Sequence, residues 1–288
     1  MLSNCLIMEK SFWNELWLLL IITFLFLIIL GIFFIVELFL TNGAAIDDVF
    51  SLHIVQWLQT ILVMFLPPII WYKWRVKQNP FVDFGFSRIN WKFVFFAVIF
   101  VLISIPAFEV VALLSSYIPL PASIETAFEE AALQNFDIMG KLLSPDGFFG
   151  WLEVILLVSI ATAIGEETMF RGALFKCFGF TNLNLHWIAI LTGLIFAIIH
   201  FEPAGFFIRW ILGSMLCYFV VWSGSIWPAI IAHAVNNLCA VIQFKCFDIG
   251  NPHNEEYLEL TFGWTISIIS IVATFFFVYI MYKNRIKE

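Results

Sequence analysis

The sequence predicts an all-α protein, a polytopic transmembrane bundle of about eight helices with both termini cytoplasmic. Three observations predict it. Of 288 residues, 62% are hydrophobic and only 12% charged, with a mean hydropathy of +0.98; a soluble domain is about 45–50% apolar and about 25% charged. The apolar residues fall in runs of about 20, the length that crosses a bilayer. The connections between runs alternate between basic and acidic, as successive crossings require. A water-soluble fold of this size could not cover so much apolar surface, so the bilayer is the solvent.

Taken in order, the first run is Leu16–Val36. Lys10 before it and Gly43-Ala44-Ala45 after it resemble signal-peptide flanks, but the run exceeds the roughly 7–15 apolar residues of a signal core, so it is read as a retained helix. Ile54–Tyr72 follows, with Pro67-Pro68 expected to kink it. Next come Phe93–Tyr117, with Pro106 inside, and Gly150–Phe175, interrupted by Glu166, Glu167 and Arg171. Trp187–Phe201, Phe206–Trp222, Ile226–Phe244 and Leu260–Tyr282 complete the set. Between the second and third runs Lys73, Arg75, Lys77, Arg88 and Lys92 stand against Asp83, and Lys283, Arg285 and Lys287 end the chain. Asp47 and Asp48 follow the first run. Glu125, Glu129, Glu130, Asp137 and Asp146 stand against Lys141 after the third, and Asp248, Glu255, Glu256 and Glu259 against Lys245 after the seventh. The basic ends mark the cytoplasmic side. The chain is expected to divide into N-terminal helices and loops over 1–149, a unit carrying the chemistry over 150–244, and an outer loop with a last helix over 245–288.

Other classes are set aside. The net charge is −7 and no stretch is basic enough for a nucleic acid. Cys5, Cys177, Cys217, Cys239 and Cys246 form no CxxC pair, so neither a disulfide framework nor a zinc finger follows.

Ionisable groups at membrane depth are costly, so each is a functional hypothesis. Three local patterns stand out: Glu166-Glu167-x-x-x-Arg171, Phe196-x-x-x-His200 and His233-x-x-x-Asn237. Glu167 and Arg171 share a helix face and can pair. Glu166 points about 100° away and keeps no intrahelical cation. Taken singly, these patterns also fit interfacial charges, a helix-end histidine and interhelical hydrogen-bonding residues. Depth joins them. At 1.5 Å per residue from the cytoplasmic face, Glu166 lies roughly 16 Å in, His200 roughly 20 Å, His233 roughly 10 Å and Asn237 roughly 17 Å. Three helices thus deliver polar side chains to one layer of a core about 30 Å thick.

The residue types suggest hydrolysis. A carboxylate without a neighbouring cation, in low-dielectric surroundings, suits a general base. A histidine beside it can orient a water, and a second histidine with a carboxamide can donate to a developing oxyanion. There is no HExxH helix and no GxSxG elbow; Ser159, Ser214 and Ser225 lack a motif marking a nucleophile. Two other readings stay open on residues alone. One is a non-catalytic immunity or scaffold protein that uses the cluster for packing. The other is an ion- or proton-coupled transporter, which Glu109 and Glu153 slightly favour and the lack of matching halves disfavours. Arg209 fits an interfacial charge.

The ordered trio resembles the CPBP intramembrane proteases, the group of CAAX prenyl endopeptidases and bacteriocin-processing or self-immunity proteins, with motifs EExxxR, FxxxH and HxxxN or HxxxD. The resemblance covers roughly Gly150 to Phe244. It implies an intramembrane endopeptidase acting on a membrane-associated protein or peptide; the Phe- and Ile-rich composition suggests an AT-rich bacterial genome and hence a bacterial plasma membrane. The resemblance further implies Glu166 as the base that activates water, His200 as its helper, His233 and Asn237 at the oxyanion, and Glu167 with Arg171 shaping the site. The group has been described both as metalloproteases and as glutamate-dependent proteases. No cofactor is favoured here, because no close ligand pair such as HxxxH is present; a zinc, if bound, would take Glu166, His200 and His233.

Overall fold

The computed structural model describes residues 12–41, 48–200, 205–247 and 261–286, and every regular element among them is helical. Lys10, Gly43-Ala44-Ala45, Cys5, Asp47, Asp248, Glu255, Glu256, Glu259 and Lys287, whose positions or charges entered the reading above, lie outside the described residues, as does the end of the fifth run at Phe201. In chain order the helices are α1 (Phe12–Leu40), α2 (Val49–Arg75), α3 (Pro80–Asp83), α4 (Trp91–Ser116), α5 (Ala122–Leu142), α6 (Gly147–Phe178), α7 (Leu185–Ile198), α8 (Phe206–Ser223), α9 (Trp227–Phe247) and α10 (Gly263–Lys283).

Among the described residues, seven helices are long and apolar enough to cross a membrane: α1, α2, α4, α6, α8, α9 and α10. Their outward faces carry Trp17, Phe24, Ile35, Val272 and Phe275, all exposed, which only a bilayer solvates well. The remaining expected run, the fifth, is α7, which has 14 residues and so reaches about 21 Å at 1.5 Å per residue. Its ends are set by side chains. Asn184 Oδ1 accepts from the Trp187 N–H at 3.1 Å, and His200 Nδ1 meets the Phe196 carbonyl at 2.6 Å just past the last turn. The acidic connection after the third span is also more ordered than its charges suggested. It folds as the 21-residue α5, mostly exposed, with its C-terminal end anchored by Phe136 against Phe244 of α9.

α6 is the central element. It packs on α2 along one side, on α9 along the other, and its C-terminal part meets α7 and α8. Small residues permit this. A Cβ on Gly165 would come within 3.2 Å of Thr60 and Met64 of α2, and one on Gly172 would lie 2.7 Å from the Phe84 ring. α7 and α8 run antiparallel, with Trp210 Nε1 donating to the Ile190 carbonyl at 3.0 Å. A Cβ on Gly193 would lie 2.6 Å from the Ser214 backbone nitrogen.

Both proline sites are accommodated by hydrogen-bond exchange. In α2 the turn Gln59–Phe65 widens to π spacing just before Pro67-Pro68, so a register change absorbs the missing donors. In α4, Pro106 opens the ladder, and Ser270 of α10 enters it: its Oγ accepts from Ala107 N at 3.0 Å and donates to the Ile103 carbonyl.

Candidate active site

α6 presents Glu166, Glu167 and Arg171. The segment Thr162–Glu167 is α-helical, but Ile155–Ala161 before it and Thr168–Leu174 after it have π spacing. Thr162 Oγ1 donates to the Leu157 carbonyl, five residues back, at 3.0 Å. Such wide turns cluster at functional sites because they re-aim side chains within a continuous helix.

Glu167 is buried, and its Oε1 holds two partners: Arg171 Nη1 at 2.8 Å and His233 Nδ1 of α9 at 2.8 Å. Arg171 is buried too. Its Nη2 donates to the Gly213 carbonyl of α8 at 2.6 Å, and its guanidinium lies 5.0 Å from the centre of the Phe196 ring of α7. One buried ion pair therefore ties four helices together, and the opposed charges compensate each other's desolvation.

The partners also assign the histidine tautomers. His233 donates from Nδ1 to the Glu167 carboxylate, which leaves Nε2 facing Glu166 Oε2 at 3.7 Å. His200 donates from Nδ1 to the Phe196 carbonyl, and its Nε2 faces the same Glu166 oxygen at 4.0 Å. Both separations are too long for a direct hydrogen bond and suit one intervening water. Phe196 forms the wall between the rings, 4.7 Å from His200 and 5.7 Å from His233 by centroid. Exposure separates the roles. The side chains of Glu166 and His200 are 13% and 27% exposed, whereas Glu167, Arg171 and His233 are at 5% or less. Glu166 and His200 are thus the more exposed members of the cluster, while the Glu166 oxygen between the two histidines is itself buried and has no direct hydrogen-bond partner.

The structure brings Glu166, Glu167, Arg171, His200 and His233 into one cluster. Asn237 lies one turn along α9 from His233 and donates Nδ2 to the Val158 carbonyl at 3.2 Å, inside the first π segment. Glu109 and Glu153 sit elsewhere: Glu109 Oε2 accepts from Phe262 N at 3.4 Å, and Glu153 pairs with His53 at 2.7 Å. Arg209 of α8 lies within electrostatic reach of Glu166. Motif spacing did not predict the Glu167–His233 bond or the Gly213 carbonyl, since both cross between helices. The glycines at 193 and 213 were the available signal, because a glycine in an apolar helix marks close backbone approach.

No group of three His, Cys, Asp or Glu among the described residues is arranged to hold a metal ion. Glu166, His200 and His233 face one another without forming a chelating set. An apolar crevice of about 180 Å³ lies beside this part of α6, between Thr60, Ile61 and Phe65 of α2 and Ala161, Ile164 and Gly165.

The family described as Type II CAAX prenyl endopeptidase Rce1-like matches residues 148–239, a stretch that contains all seven residues of the three motifs. That family is one of membrane proteases, which supports a peptidase at the family level. The uncharacterised protein YyaK of Bacillus subtilis (strain 168) is 27% identical over 209 residues, covering 66% of this chain. The match spans 62% of the length of YyaK. No solved structure matches the chain.

Proposed function

We propose that this chain is an intramembrane endopeptidase that hydrolyses a peptide bond of a membrane-associated protein or peptide, with Glu166 as general base. The observation that carries the reading is the convergence of two histidine Nε2 atoms on one Glu166 oxygen, at 3.7 and 4.0 Å. A water between these groups gives a proton to the Glu166 carboxylate as its oxygen attacks the carbonyl carbon. The carbonyl π pair moves to oxygen, and the oxyanion forms. As the tetrahedral intermediate collapses, the C–N bond breaks and the proton on Glu166 passes to the departing amine. His200 holds the water. His233, its Nδ1–H held by the Glu167 carboxylate, is positioned beside the oxyanion. A carboxamide has two N–H donors; Asn237 spends one on Val158, and the second is assigned to the oxyanion. Glu167 and Arg171 position His233 rather than touch the substrate.

The test is cleavage of membrane-tethered peptides by purified protein in detergent. Wild type is expected to cleave and Glu166→Ala to be inactive while melting at the wild-type temperature. Equal cleavage by both would overturn the role of Glu166. Loss of cleavage in wild type, with a partner-binding function retained in Glu166→Ala, would favour a non-catalytic immunity or scaffold role. Activity is expected to survive exhaustive chelation. Loss on chelation with recovery on adding Zn²⁺ would instead assign Glu166, His200 and His233 to a metal.

A further inference from the structure

Away from this site, the turn after α2 forms a groove of about 610 Å³ lined by Ile69, Lys73, Lys77, Gln78, Asn79, Pro80 and Phe81. Three features distinguish it from an ordinary loop hollow. First, its charge is one-sided. Lys73 and Lys77 line it with no acid, and neither lysine has an ion pair among the described residues. The neighbouring charges are already engaged: Arg75 Nη2 pairs with Glu15 at 2.7 Å, and Asp83 accepts from the Tyr72 hydroxyl at 2.9 Å.

Second, Lys77 has φ +58, the only positive φ of a non-glycine residue among the described residues. An L side chain pays for that conformation, and glycine would adopt it freely. A lysine kept there places an ammonium at the groove where the backbone would prefer no side chain. Such an outlier motivates a functional hypothesis.

Third, the groove lies at the end of an apolar span, the level at which headgroups are expected. It begins where the apolar span α2 ends, and Trp74, Phe81 and Val82 beside it are exposed. Aromatic side chains at the end of a span mark the membrane–water interface. The lining is also two-sided in chemistry, with ammonium groups and amides on one part and Ile69, Pro80 and Phe81 on the other. A free anion needs only the first part. A phosphate attached to a glycerol and acyl chains uses both.

We propose that this groove binds the phosphate of an anionic phospholipid headgroup, with Lys73 and Lys77 on the phosphate and Ile69, Pro80 and Phe81 against its glycerol and first methylenes. Lys/Arg clusters beside a span attract anionic lipid by charge alone; here the two lysines also line one open groove together with apolar side chains. The proposal is independent of the protease reading.

The test uses the full-length protein in a neutral detergent and follows its melting temperature during titration with phosphatidylglycerol, phosphatidylcholine or inorganic phosphate. Phosphatidylglycerol is expected to stabilise saturably, and phosphatidylcholine not to do so at the same concentrations. The Lys73→Gln/Lys77→Gln double variant is expected to weaken the phosphatidylglycerol response at least tenfold. Lys283→Gln/Arg285→Gln, which removes the same charge elsewhere, is expected to change it less than twofold. Lys77→Gly is expected to melt higher than wild type without lipid, because it relieves the backbone, and yet to weaken the lipid response, by less than the double variant does; an unchanged response would overturn the role of Lys77. Equal weakening by the two double variants would reduce the effect to bulk charge and overturn the site. So would equal stabilisation by phosphatidylcholine. Inorganic phosphate matching phosphatidylglycerol at equal concentration would overturn the lipid assignment in favour of free phosphate.

Discussion

α6 carries two histidine–glutamate pairs, one near its N-terminal end and one past its middle, and their lengths barely differ. His53 of α2 meets Glu153 at 2.7 Å, and His233 of α9 meets Glu167 at 2.8 Å. In both, the histidine is buried and uses Nδ1. What differs is the other nitrogen. His53 Nε2 is spent on the Leu142 carbonyl at the end of α5, 2.8 Å away, so the ring has nothing left to offer and acts as a staple between α2, α5 and α6. His233 Nε2 faces a second carboxylate, Glu166, across 3.7 Å. The Glu153 side chain is 49% exposed and that of Glu167 is sealed. A pair that fastens and a pair that supports chemistry are therefore told apart by what lies beyond the pair.

That contrast can be broken by experiment. The largest effect is expected at Glu166: Glu166→Gln should slow cleavage at least ~10³-fold, within the range of a lost general base, with little change in melting. Glu153→Gln should leave cleavage within about threefold; equal losses from both would abolish the distinction. Arg171→Ala comes next. It leaves the Glu167 carboxylate buried without its cation, a loss on the order of 3–5 kcal/mol, to be read as a lowered denaturation midpoint. His233→Ala should cost cleavage ~10²-fold or more, whereas His53→Ala should keep its turnover and lose roughly 1–3 kcal/mol of stability by orphaning a buried carbonyl. The smallest effect concerns the turn that carries His53. Asp48 caps α2 by accepting from Ser51 N at 2.9 Å, and that bond, with a second from the Ser51 hydroxyl, holds its carboxyl below the ordinary range. The cap is complete above that range and is lost as pH falls through the lowered value. Protection of the Ser51 amide from hydrogen exchange, corrected for intrinsic chemistry, should fall over that window in wild type and be absent in Asp48→Ala.

The apolar runs made most of the fold legible, because a span of about 20 apolar residues has few alternatives. α5 was not legible by that measure: Glu125, Glu129, Glu130 and Asp137 suppress its hydropathy, although its Ala, Leu and Glu content favours a helix. α7 was legible too, and His200 stands just past its last turn, as a helix-end histidine would. Within the site, pairing along one helix was legible. Glu167–Arg171 follows from the spacing, and its distance bears that out. Pairing between helices was not: the second partner of Glu167 and the Val158 carbonyl that holds Asn237 depend on π turns, and no residue spacing announces those.

The close glycine contact between α7 and α8 has a consequence for biogenesis. A 14-residue helix falls several residues short of a stable solitary crossing, so α7 gains little by leaving a translocation channel alone. Gly193 and Gly213 let its backbone lie directly on that of α8, and the two together form a hairpin with enough apolar length to partition into lipid. The segment bearing His200 is thereby committed to the membrane only once α8 has been synthesised. A bulky residue at Gly193 should consequently show itself in the amount of protein inserted, before any effect on turnover can be measured.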